Sequence, residues 1–158
     1  MDGNSLRLYI EKYHSTLFRL AITYTKNSHD AEDIVQEAFL KLYCTENSFK
    51  TDENVKAWLI RVTVNLCKDM VKSKWRKERS ELIMDIPCED EKESILLDVL
   101  NKLKPEQRMI IVLFYYEGYH VKEIAEICGI SATTATTRLS RARKMLKKLL
   151  LEEGYNEK

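Results

Sequence analysis

Few residues in this sequence could carry out a reaction. Cys44, Cys67, Cys88 and Cys128 are separated by 23, 21 and 40 residues, far from the close pairing of a zinc or redox motif, and read as reduced, mostly buried thiols. His14, His29 and His120 are equally dispersed, so neither a metal nor another cofactor is expected. There is no nucleophile–base pair, and the four glycines in 158 residues form no phosphate-cradling loop. An enzyme with a small-molecule substrate is the least supported class. The chemistry that remains is recognition. The stretch "ISATTATTRLSRARKML", Ile130 to Leu146, has seven small residues from Ser131 to Thr137, four of them threonine, followed by Arg138, Arg141, Arg143 and Lys144. Hydroxyls can bond to base edges, threonine methyls can touch thymine, and arginine can pair bidentately with guanine.

Those side chains act together only on a common scaffold, and threonine is a mediocre helix former because its branched Cβ loses rotamer freedom. Even so, at about 100° per residue Leu139, Ala142, Leu146 and Leu149 all fall within about 40° of Ala135. That stripe lasts about four turns and predicts a helix. Thr133, Thr137, Ser140 and Lys144 fall within about 40° of the opposite direction, flanked by Thr136 and Arg141, while Arg138 lies nearer the core edge. Arg141 is the best placed for a guanine contact, and Arg138, Arg143 and Lys144 for phosphates. The competing interpretation is a solvated face with no target.

The segment before it supplies a turn. Ile124 and Ala125 fall on an inner face, the alanine small enough for close helix crossing. Gly129 can take a left-handed conformation, Ile130 can plug the core, and Ser131 can cap the next helix. This is the pattern of a helix-turn-helix.

Composition fits such a molecule. The chain is 44% hydrophobic and 32% charged, with two prolines, and alternating strand patterns are scarce, so the expected fold is all-α. No leader and no apolar run of about 18 residues is seen, which predicts a cytoplasmic protein. The net charge of +1 conceals segregation. Arg61 to Arg79 holds seven basic and two acidic residues, Ser80 to Asp98 seven acidic and one basic, and Thr136 to Lys148 six basic and no acidic ones. Two separated basic segments point toward nucleic acid more than the overall charge does, although solvated helix faces would look alike.

Periodicity predicts a first helix over about Ser5 to Tyr24. A second starts after Asn27, Ser28 and His29, with Asp30, Glu32 and Asp33 in its first turn. After a polar loop, a third runs from Val55 with Trp58, Leu59, Val62, Leu66 and Met70 inward. The acidic stretch containing Pro87 reads as a linker between two small helical domains. Beyond it come a short helix with Ile95, Leu96, Val99, Leu100 and Leu103, a helix that starts at Pro105 with Gly118 just past its end, and the helix-turn-helix. The expected boundaries are 1–79 for the first domain, 80–93 for the linker and 94–158 for the second domain.

The succession "AITYTKNSHDAEDIVQEAFLKLY", "NVKAWLIRVTVNLCKDMVKSKWR", "LKPEQRMIIVLFYYEGYHVKEIAEICGIS" and "RLSRARKML" resembles the extracytoplasmic-function group of sigma factors of bacterial RNA polymerase, in the sigma-70 family. The resemblance covers nearly the whole chain. It implies a first domain that binds core RNA polymerase through Asp33, Gln36 and Glu37, which also lie on one face by their i, i+3, i+4 spacing. It implies that the third helix recognises and helps open the minus-ten promoter element. Arg61, Asn65, Asp69 and Lys72 would lie along one stripe, with Lys74, Arg76, Lys77 and Arg79 following the backbone. The loop Phe49 to Asn54 would capture a flipped base by stacking and amide bonding, with Phe49, Lys50 and Asn54 all open candidates. Trp58 reads as core rather than as a wedge between bases.

For the second domain the resemblance implies readout of the minus-thirty-five element by Ser131, Thr133, Thr136, Thr137, Arg138, Ser140, Arg141 and Lys144. Here the chain departs from relatives, which commonly have "GTVKSR" or near it where this sequence has "TTATTR". Thr133 replaces glycine, Ala135 replaces valine and Thr136 replaces a basic residue. The implied partners are core RNA polymerase, promoter DNA and an anti-sigma factor, often membrane-anchored, with no small-molecule substrate. Two other readings compete. A stand-alone helix-turn-helix regulator would bind duplex DNA without polymerase, and a helical adaptor would bind protein alone.

Overall fold

The computed structural model describes residues 1–77, 98–152 and 154, and all regular structure among them is helical. The chain divides into two compact units, Met1–Ile83 and Met84–Lys158.

The first unit is built from three helices, α1 (Gly3–Thr25), α2 (Ser28–Cys44) and α3 (Asp52–Lys77). Asp2 caps α1 by accepting the Ser5 N–H at 2.7 Å. Lys26 ends that helix in a left-handed conformation, φ 57°, its N–H returning to the Ile22 carbonyl at 2.8 Å. One residue later the Asn27 side chain accepts the Asp30 N–H at 2.9 Å and starts α2. A turn this tight holds α1 and α2 side by side, and Leu17, Leu20, Ala21, Ile34, Val35, Ala38 and Leu42 are buried between them and α3.

The buried stripe of α3 differs from the one that periodicity suggests. Val55, Leu59, Ile60, Thr63, Val64 and Cys67 are the buried residues, whereas Trp58, Val62, Leu66 and Met70 are half-buried. The helix packs on both α1 and α2, so its inner face is wider than a single stripe, and it is centred on residues that include a threonine. α3 also begins three residues earlier than Val55. Thr51 accepts the Asn54 N–H through Oγ1 at 3.2 Å, which places Asn54 in the first helical turn and not in the loop.

In the second unit residues 98–101 are helical. Val99, Leu100 and Leu103 are buried as expected, while Ile95 and Leu96 lie outside the described residues. Pro105 opens α4 (Pro105–Ile111) at its first position, where its missing N–H is no loss. The Lys104 N–H donates to the Gln107 Oε1 at 3.2 Å. Arg108 is buried and its guanidinium donates to the Leu103 carbonyl, tying α4 to the turn before it. The helix does not run regularly to Gly118. It widens into a π-turn over Val112–Tyr116, with the Glu117 N–H reaching the Val112 carbonyl at 2.9 Å.

α5 (Val121–Cys128) then packs on α6 (Ala132–Glu152). Gly129, at φ 69°, makes the turn between them. The Ile130 N–H donates to the Ala125 carbonyl at 3.0 Å and the Gly129 N–H to the Glu126 carbonyl at 3.3 Å. This is the paired closure that a left-handed residue permits at a helix C-terminus.

Candidate nucleic-acid and partner interfaces

On α2 the side opposite Ile34, Val35 and Ala38 carries Asp33, Gln36 and Glu37, all exposed. Burial of the apolar side turns these three outward together. Asp33 lies 3.8 Å from His29 across one turn, and His14 lies 3.3 Å from Glu32, so the acidic residues beside the face are not all equally available. The same face continues through Leu40, which is 62% exposed. Sequence reasoning passed over it because a leucine in an amphipathic helix is by default counted as core.

The polar stripe of α3 is also outward. Arg61, Asn65, Asp69 and Lys72 are exposed along successive turns, with Leu59, Ile60, Val64 and Cys67 buried behind them. The side chains of Lys74, Arg76 and Lys77, together with Arg79, lie outside the described residues. Burial pushes the Cys67 thiol well above its ordinary pKa, which leaves it an unreactive core residue.

In the loop before α3, Lys50 is exposed and Phe49 half-buried. The Phe49 ring stands edge-on to Trp58, with centroids 5.8 Å apart and planes at 67°. Trp58 thus sits at the border of the core and supports the loop instead of filling the interior.

On α6 the buried residues are Ala135, Leu139 and Ala142, three of the five expected, with Leu146 and Leu149 half-buried. Thr133, Thr136, Thr137, Ser140, Arg141 and Lys144 are exposed, and Arg138 is half-buried at the core edge. Two of the hydroxyls are already engaged. Ser131 accepts the Thr134 N–H at 3.1 Å and donates to the Thr134 hydroxyl at 2.8 Å, so it serves as the helix cap. The Thr136 hydroxyl donates to the Ala132 carbonyl at 2.9 Å. Its proton is therefore occupied, leaving lone pairs and a methyl to face outward.

Arg143 is exposed but engaged within the unit, which the sequence did not indicate. Its Nε donates to the Tyr115 hydroxyl at 2.5 Å, and its guanidinium lies 4.9 Å from the Phe114 ring centroid and 5.3 Å from that of Tyr115. The π-turn carries both rings, so this contact depends on a local widening that helical periodicity does not encode.

No group of three or more His, Cys, Asp or Glu capable of holding a metal occurs among the described residues. No helix among them is long and apolar enough to cross a membrane.

Comparison with known proteins gives these surfaces a context. Residues 9–77 match sigma-70 region 2 and residues 93–146 match sigma-70 region 4. The chain is 32% identical over 153 residues to RNA polymerase sigma factor SigV of Bacillus subtilis, covering 91% of this chain and 90% of that one. It is 31% identical over 152 residues to the ECF sigma factor SigM of Mycobacterium tuberculosis, covering 92% and 78%. Among solved structures, the sigma factor RpoE of Bartonella quintana, crystallised with the anti-sigma factor NepR, superposes with a TM-score of 0.80 at 27% identity, covering 92% of this chain and 96% of that one. The chain belongs to the sigma-70 family, in its extracytoplasmic-function group, whose members direct promoter-specific transcription initiation by RNA polymerase.

Proposed function

We propose that residues 1–79 bind core RNA polymerase and the minus-ten element, that residues 94–158 read the minus-thirty-five element, and that residues 80–93 link them. Asp33, Gln36 and Glu37 make the polymerase contact, with Leu40 adding an apolar anchor beside them. Polar residues around an exposed leucine suit a partner helix with basic residues at its rim. Arg61, Asn65, Asp69 and Lys72 face the minus-ten strand, Lys74 and Arg76 follow its backbone, and Phe49 and Asn54 take part in holding an extruded base. On α6, Arg141 reads a base edge, Thr133, Thr137 and Ser140 allow close approach, and Arg138 and Lys144 contact phosphates. Ser131 and Thr136 join that surface with their protons already committed, so Thr136 presents an acceptor to amino groups of adenine or cytosine.

The observation that carries this reading is the pairing of two outward polar helix faces, on α2 and on α6, in separate compact units of a chain of this family. The protein works in the bacterial cytoplasm and catalyses no reaction of its own. An anti-sigma factor covering these faces is a further partner, supported by the anti-sigma complex of the RpoE relative. The test is reconstitution. Core polymerase mixed with the purified chain should co-elute with it on gel filtration and initiate at a defined promoter. Tight duplex binding without polymerase, and no co-elution, would favour a stand-alone regulator.

A further inference from the structure

The start of α3 is gripped by α1 through one residue. Lys12 Nζ lies 2.9 Å from the Asp52 Oδ2, the Tyr9 hydroxyl donates to the Asp52 Oδ1 at 3.3 Å, and the Tyr13 hydroxyl donates to the Asp52 carbonyl at 3.1 Å. Positions 9, 12 and 13 share one face of α1. The Tyr9 and Tyr13 rings are near parallel with centroids 6.2 Å apart, and Lys12 Nζ is 5.4 Å from the Tyr13 centroid. Asp52 is the residue at which the α2–α3 loop becomes helix, three positions after Phe49 and two before Asn54.

The side chains of Lys12 and Asp52 are 54% and 57% exposed. An ion pair in that setting is screened by water and adds little to folding stability. Three side chains converging on one residue at such an exposed place suit a geometric role better than a stabilising one. The far side of the loop is held as well, by the edge-on packing of Phe49 against Trp58.

We infer that Asp52 is a positioning residue: the Tyr9–Lys12–Tyr13 clamp fixes the end of the α2–α3 loop, and the fixed loop sharpens which base of single-stranded minus-ten DNA it accepts. This rests on the proposed role of the loop in base capture. Selectivity is a difference between two affinities, and a loop free to shift can accommodate the wrong base at little cost.

The test uses the full chain bound to core polymerase and fork-junction probes that vary each unpaired minus-ten base in turn, with binding read by fluorescence anisotropy. Lys12→Met and Asp52→Ala should each lower the ratio of best to worst base by about threefold to fivefold. The double variant should lose no more than Asp52→Ala alone, because the Lys12 contact is already gone once the carboxylate is removed. Lys12→Arg, which keeps the cation, should keep the wild-type ratio, and core binding and melting temperature should stay unchanged. Additive losses, or an intact ratio in the clamp variants while Phe49→Ala or Asn54→Ala lowers it, would overturn the clamp and leave base capture by the loop standing. An intact ratio in all of these variants would overturn base capture by the loop, and the clamp with it.

Discussion

At the scale of single residues, the proposed DNA face of α6 divides into side chains that would choose a base and side chains that would hold only the backbone. Arg141 is exposed and directed away from Ala142 and Leu139. If it pairs with a guanine, Arg141→Ala should cost about 1–3 kcal/mol of binding and relax preference at one position of the minus-thirty-five element. Lys144→Ala should instead weaken all sequences alike and reduce the slope of log affinity against log salt by about 1. Thr136 stands where the resemblance to sigma factors implies a cation. Thr136→Lys should therefore raise affinity for every promoter and steepen the same slope by about 1, read from anisotropy titrations at several salt concentrations. Arg143 behaves differently. Stacked on Phe114 and bonded to Tyr115, it has part of its donor set occupied within the unit, and Arg143→Ala should lower the stability of the second unit by about 0.5–1 kcal/mol in denaturant unfolding.

At the scale of elements, what the sequence made legible was whatever depends on local chemistry. The leucine–alanine stripe of α6, the glycine turn at Gly129, the proline start of α4 and the Asn27 cap are each set by residues within a turn of one another. Gly129→Ala would force a β-carbon into φ 69°, and should destabilise the second unit by about 1–2 kcal/mol by thermal or urea unfolding. What stayed hidden depends on partners far along the chain. Thr63 is buried because α3 sits against two helices at once, and Trp58 lies at the border of the core, where Phe49 packs on it from the loop. Arg108 is buried because the carbonyl of Leu103 receives it, an exception to the rule that places arginine on the surface. The clamp at Asp52 belongs to this second kind, since nothing local links Lys12 to a residue 40 positions later.

The clamp's dependence on pH follows from its two charges. Hydrogen bonding from Lys12, followed by its charge, holds the Asp52 carboxyl below the ordinary aspartate value of 3.8, so the contact is present above that value and is lost only as pH falls through the lowered one. The bond to Asp52 raises Lys12 above its ordinary 10.5, so on the other side the contact survives until pH passes through that raised value. Base selectivity at the minus-ten element should thus be flat between about pH 6 and 9. Binding of fork-junction probes across that range checks it, and a sloping ratio would point to a different group.

For the whole molecule, the near-neutral net charge of +1 is the sum of basic and acidic segments of opposite sign, so the chain need not behave as a polyanion binder in isolation. Two compact units, each with its own outward polar face, suit recognition by joint engagement under the proposed function. On the proposed assignment of one element to each unit, linkage would raise the effective concentration of the second contact once the first has formed. If the faces on α3 and α6 touch different promoter elements and share no partner, their energies should add. Asn65→Ala and Arg141→Ala, each measured on holoenzyme at a promoter with both elements, should combine within about 0.5 kcal/mol in the double variant. On a promoter whose minus-thirty-five element is scrambled, Arg141→Ala should become nearly silent while Asn65→Ala keeps its full effect. A strong departure from additivity on the intact promoter would mean that the two residues act on one contact, and the assignment of one element to each unit would have to be given up.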